Sequence, residues 1–194
     1  MLDTLKSHGT IINEGLTPPV VNGIYLQSPD ICTYDEFYGQ EGTLFDDYLW
    51  KFSDQVNNDY TVRVDFKSTA GTDVGSDSSA TFISGNSNLF TIYAKVTGVA
   101  HGISYSEIDI YSGELTSSGG AIKNFQNSFY FVSKVGDENN DVLVKVGTIR
   151  IFTDEDGTSE TQSTFSLTPQ KIQATRDKKL ASVLAALRSI RQAK

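Results

Sequence analysis

The chain has 194 residues, with 24 acids against 16 basic residues and a net charge of −8. That length fits one well-formed core with terminal extensions. A single cysteine, Cys32, excludes an intramolecular disulfide and leaves the redox compartment open.

No run approaches the roughly 18 consecutive apolar residues of a bilayer-spanning helix, and Met1–Ser7 lacks the basic-then-apolar order of a secretory signal. The charge is unevenly spread. From Lys171 onward seven basic residues face one acid, Asp177, a net of +6; before it, nine basic residues face twenty-three acids, a net of −14. A body this acidic repels phosphate, so nucleic acid is not an expected partner of it.

Leu2–Glu14 has helical composition interrupted by Gly9, and Thr17-Pro18-Pro19 forces an extended lead-in. The first strand is expected over Gly23–Gln27. In Asp46–Gln55, Tyr48, Trp50 and Phe52 share one face by period-two alternation. Val56-Asn57-Asn58-Asp59 supplies a turn into Tyr60–Lys67, where Tyr60, Val62, Val64 and Phe66 are expected inward. Ser68–Ser79, rich in Gly, Ser, Thr and Asp, is expected to be a mobile loop.

Thr81–Ser84 and Leu89–Val96 flank the turn residues 85–88 and predict a hairpin. Ile103–Leu115, Asn124–Val135 and Val142–Phe152 predict three more strands, the last with a bulge at Gly147, where the inward set changes phase. Asp154-Glu155-Asp156-Gly157 is expected to close a hairpin into Thr161–Leu167. Regular strands with short polar turns predict an all-β domain over residues 23–168, an antiparallel up-and-down barrel or a sandwich of roughly 7–9 strands. Residues 1–22 then form an N-terminal extension. In 169–194, Leu180, Val183, Leu184, Leu187 and Ile190 recur at helical spacing and predict a basic amphipathic helix. Such a helix would dock on the acidic body or contact an anionic membrane surface or a protein partner.

The runs 18–29 (Pro-Pro-Val-Val-Asn-Gly-Ile-Tyr-Leu-Gln-Ser-Pro), Phe52-Ser53-Asp54-Gln55, 81–93 and Gly147–Gly157 together resemble uncharacterised envelope lipoproteins of Bacteroidetes type, over roughly Leu2–Ser159. The resemblance implies a place in the cell envelope, in the periplasm or at the outer-membrane surface. Members of that group carry a signal peptide and an acylated cysteine ahead of the domain, and neither is present here. Gly23-Ile24-Tyr25 followed by a β meander and a late helix is also similar in arrangement to lipocalin-like barrels, an analogy of layout.

Chemical signals are sparse. His8, His101 and Cys32 do not form a spaced zinc set, and no Gly-x-Ser-x-Gly elbow occurs, so no cofactor is expected and no catalytic residue is assigned. Tyr105, Glu107, Asp109 and Tyr111 lie on one strand face, where neighbouring positions are about 7 Å apart, a spacing suited to paired carboxylates on a sugar. Because Ile108 and Ile110 occupy the other face, ordinary amphipathic design with the carboxylates in water is the favoured reading, and ligand contact is its alternative.

Asp154, Asp156 and Glu160 begin like a calcium loop but lack its twelve-residue pattern, and a hairpin explains the same residues. Finally, the aromatic residues, Trp50 among them, exceed what one sheet face needs. Rings filling a core and rings lining a cavity for a small apolar molecule or a glycan both fit. The expected function is a non-enzymatic envelope-associated binding or structural module; the alternative is a carbohydrate-active or carbohydrate-binding protein using the Tyr/carboxylate face.

Overall fold

A computed structural model describes residues 2–56, 60–79 and 81–166. The chain divides into two units, Met1–Ser163 and Thr164–Lys194, and the first carries the fold. The turn expected at Asn57-Asn58-Asp59 and the helix expected over 169–194 lie outside the described residues.

A short helix, α1 (Leu2–Ser7), precedes the strands β1 (Leu16–Thr17), β2 (Gly23–Gln27), β3 (Asp30–Asp35), β4 (Tyr48–Ser53), β5 (Arg63–Ser68), β6 (Asp73–Asp77), β7 (Phe82–Asn86), β8 (Leu89–Ala100), β9 (Ile103–Leu115), β10 (Ala121–Val135), β11 (Ile149–Asp154) and β12 (Thr158–Thr161). They form one large sheet, antiparallel except where β1 meets β7. Eight strands pair in chain order: β2 with β4, then β5, β6, β8, β9, β10 and β12. The last of these pairs again with β2, through Leu26↔Glu160 and Tyr25↔Thr161.

The other strands attach where long strands change partners. Along one edge β8 carries β7 on its first half and β6 on its second, and β10 carries β12 and then β11. The change on β10 falls at a bulge between Lys123 and Gln126, where Asn124 has φ 50° and its N–H reaches Gly157 O.

Several expectations are corrected. Helix α1 ends at Ser7, because Gly9 (φ 104°) turns the chain away. Ser68–Ser79 is not wholly a loop: β6 is held from both sides by β5 and β8, so ladder hydrogen bonds replace the apolar surface it lacks.

The strand expected from Val142 begins only at Ile149. Asp137 accepts the N–H groups of Asp141, Val142 and Leu143 and folds that stretch into a loop, and Gly147 (φ 92°) sits in a turn, not a bulge. Asp154–Gly157 is a turn with Gly157 at φ 79°, but β11 and β12 do not pair with each other; they follow one another along β10. Tyr60 is exposed, with its hydroxyl donating to Leu16 O, whereas Val62, Val64 and Phe66 are buried as expected.

The main core packs Tyr25, Phe52, Phe66, Phe90, Tyr111 and Phe125 around Trp50. Centroid distances of 5.0 Å for Trp50–Tyr111 and 5.4 Å for Trp50–Phe66 place these rings in direct contact. Each fully buried ring contributes about 1.5–3 kcal/mol, with about 0.5–1.5 kcal/mol more per well-placed aromatic pair.

A second cluster lies on the opposite face of the central strands, where Leu5 packs on Ile110 and Ile149 with Tyr130 and Tyr93 alongside. The segment after α1 continues this cover. Thr10 donates to Ser128 Oγ at 2.9 Å, Ile11 N–H to Gln126 Oε1 at 2.8 Å, and Asn13 N–H to Thr91 Oγ1 at 2.7 Å. Phe129 and Phe131 thus face the main core while Tyr130 faces the N-terminal segment.

Candidate functional site

The alternation of β9 keeps Tyr105, Glu107, Asp109 and Tyr111 on one face, and that face points into the main core. Their exposures are 7%, 8%, 1% and 0%. The expectation that the two carboxylates sit in water is overturned. Ile108 and Ile110 do occupy the opposite face, but α1 covers it, so that face obtains its burial without turning toward the centre. On one side β8 places Ala94 opposite Asp109, Val96 opposite Glu107 and Gly98 opposite Tyr105, and on the other β10 places Phe129 opposite Asp109 and Phe131 opposite Glu107.

Gly98 is required by this packing. A Cβ there would come within 2.6 Å of the Tyr105 ring, too close for any side chain. The ring instead crosses the bare backbone and its hydroxyl donates to Asp73 Oδ1 at 2.8 Å, while Tyr48 donates to Oδ2 of the same residue at 2.7 Å. Two tyrosines from β4 and β9 thus converge on one carboxylate at the start of β6. Asp73 was not legible as a site residue, because it stands in a stretch whose composition reads as loop. Tyr48 stacks on Trp50 at 5.3 Å, and Tyr105 stacks on Phe131 at 5.7 Å.

Deeper in, the Tyr111 hydroxyl donates to Asp109 Oδ2, whereas Asp109 Oδ1 is buried without a hydrogen-bond partner. Trp50 Nε1 donates to Gln27 Oε1 at 2.8 Å, and Gln27 in turn donates to Asp30 Oδ1 at 2.7 Å. Trp50 is therefore a core ring with a satisfied N–H.

These acids are out of water with little to offset it. Burial, then repulsion from Asp109 and Asp73, holds Glu107 well above the usual carboxylate range. Burial pushes Asp109 up to about 8, the Tyr111 hydroxyl working against it and the Asp73 charge adding to it. Asp73 is raised by burial too, its two tyrosine hydrogen bonds and the His101 charge acting in the other direction. Tyr48, Tyr105 and Tyr111 are all raised, first by burial and then by the charge of these carboxylates. At neutral pH such a pair retains protons that ordinary carboxylates have lost.

The other candidate residues are placed elsewhere. Asp154 is buried at the β2–β3 corner and accepts Ser28 N–H at 3.2 Å and Ser159 Oγ at 2.7 Å. Burial pushes it up to about 6, and its Oδ1 has no partner. Asp156 accepts Thr158 N–H in the turn, and Glu160 is exposed. Among the described residues no group of three or more His, Cys, Asp or Glu side chains is arranged to hold a metal ion. His8 stacks on Tyr34 at 4.3 Å, Cys32 is buried with its thiol toward Tyr34 O, and His101 occupies the β8–β9 turn at φ 50°. Among the described residues no helix is long and apolar enough to cross a membrane.

Comparison with known proteins found no family model, no curated protein and no solved structure that matches this chain.

Proposed function

We propose that this chain is a non-enzymatic binding module of the cell envelope, built as a lipocalin-like up-and-down barrel that holds a small molecule against its inner wall. The eight-strand circuit that returns from β12 to β2 in chain order supports the barrel. One observation carries the binding reading: Glu107 and Asp109, flanked by Tyr105 and Tyr111, face the aromatic core instead of water. A purely structural core has no use for two adjacent desolvated acids, which cost free energy unless something pairs with them. His8 stacks on Tyr34, Cys32 is buried against Tyr34 O, and His101 is exposed in the β8–β9 turn, which supports binding over catalysis.

A second reading has the same residues, Tyr105, Glu107, Asp109 and Tyr111, contacting a sugar, favoured by tyrosine rings bracketing the carboxylates on one strand face. The envelope location is supported by the resemblance of the turn and strand-start motifs. Contact of residues 169–194 with an anionic surface is supported by their charge of +6 and apolar spacing.

The test is native mass spectrometry of protein isolated from cells, paired with a ligand screen read by the emission of Trp50, the one tryptophan of the chain. The expected result is a bound mass that Glu107→Gln and Asp109→Asn remove. A bare chain mass together with a silent screen would sink the reading.

A further inference from the structure

Three features of the inner face point to the chemistry of the ligand. The first is a set of acids with no basic partner, groups that a cation beside them would favour in the charged form. The ion pairs among the described residues engage Glu14, Asp35, Asp65, Asp77 and Asp137, and none reaches Asp73, Glu107 or Asp109. The second is an unpartnered acceptor: Asp109 is 1% exposed and its Oδ1 makes no hydrogen bond. Both oxygens of Asp73 are already taken by tyrosine hydroxyls, whereas Asp109 keeps one oxygen without a partner. The third is aromatic: Trp50 lies 5.0 Å from the Tyr111 ring whose hydroxyl donates to Asp109, and Phe131 stands opposite Glu107 across the β9–β10 ladder.

Neutral ligands answer only part of this. A sugar hydroxyl can donate to Asp109 Oδ1 but brings no charge, and an apolar molecule would leave the acceptor bare and deepen its desolvation. A positively charged nitrogen satisfies all three features, because it donates to a carboxylate, offsets buried negative charge and is attracted to ring faces. The body's net charge of −14 before Lys171 also draws cations toward the domain.

We propose that the inner site takes a small organic cation, a primary ammonium or guanidinium group seated against Glu107 and Asp109 with its carbon skeleton among Tyr48, Trp50 and Phe131. This rests on the reading of the inner face as a binding site and names its ligand class.

The test is made on the full, unaltered chain with matched probes: benzylamine against benzyl alcohol, with agmatine as a guanidinium probe and methyl glucoside as a sugar. Calorimetry and Trp50 emission are read together. The expected result is binding of benzylamine and agmatine at least tenfold tighter than of benzyl alcohol and methyl glucoside. Asp109→Asn should then cost the amine at least tenfold and benzyl alcohol markedly less. Equal or tighter binding of the alcohol or the sugar would overturn the cation preference and leave the binding reading intact. Silence from every probe would overturn both. The matched comparison uses unaltered protein, so it decides the question even where a variant fails to fold.

Discussion

Asp35 and Asp109 are both carboxylates deep inside the same domain, and they are treated in opposite ways. The Asp35 side chain is fully buried, with Arg150 Nη2 and Nε each 3.0 Å from Oδ2, while Oδ1 accepts the N–H groups of Phe37 and Tyr38 at 3.1 Å. The guanidinium is itself sandwiched near the rings of Tyr38 and Phe45. Asp109 has one tyrosine hydroxyl, a second acid for a neighbour and an empty acceptor. One site is closed by the fold and holds β3 to β11; the other is left open by the fold, the condition expected of a place where something else binds.

The sharpest way to break this contrast is to open the closed site. Arg150→Ala leaves Asp35 buried and alone and is expected to lower stability by about 3–5 kcal/mol, read from the urea midpoint. The reverse change at the open site should do the opposite: Asp109→Asn removes an uncompensated charge and is expected to raise stability by about 2–3 kcal/mol at pH 8. The pH course follows from the same shift. A carboxyl held near 8 when folded and near its ordinary value of about 3.9 when unfolded keeps a proton that the unfolded chain releases between those values, so stability falls as pH rises through that window.

Glu107 and Asp73 shift in the same direction, as does Asp154 toward about 6, so unaltered protein should lose stability from pH 5 to pH 8. Asp109→Asn should flatten that slope, and a slope that stays the same would count against Asp109 as its source. A subtler probe is Gly98→Ala, whose methyl group must displace the Tyr105 ring from Asp73. A loss of about 1–2 kcal/mol is expected, together with a weaker hold on any inner-face ligand, measured by denaturation and by Trp50 emission. At the small end, Arg63→Ala removes a surface contact to Asp65 and Asp77 and should cost no more than about 0.5–1 kcal/mol.

The wall was largely legible in the chain and the site was not, for one physical reason. Period-two alternation states which residues share a face, and it placed Gly23–Gln27 and Ile103–Leu115 with the bounds observed. It does not state which face turns inward when both are to be covered. On β9 the deciding fact is Leu5, about a hundred positions away, packed over Ile110. The strand β6 was illegible because its order comes from ladders on both sides, and with it went Asp73, whose role depends on hydroxyls from two other strands. Val142–Val146 read as strand because its apolar residues alternate, yet the Asp137 carboxylate captures successive N–H groups there and no ladder forms.

The pairing of β2 with β12 has a kinetic meaning. Leu26 meets Glu160, and no local contact can bring together segments separated by so much chain. The strands from β4 to β10 pair with near neighbours in the chain, but the β2–β12 pairing requires the first segment to wait for the last. Relaxation after dilution from denaturant should therefore be slow for a protein of this size, in the millisecond-to-second range of topologies dominated by distant partners.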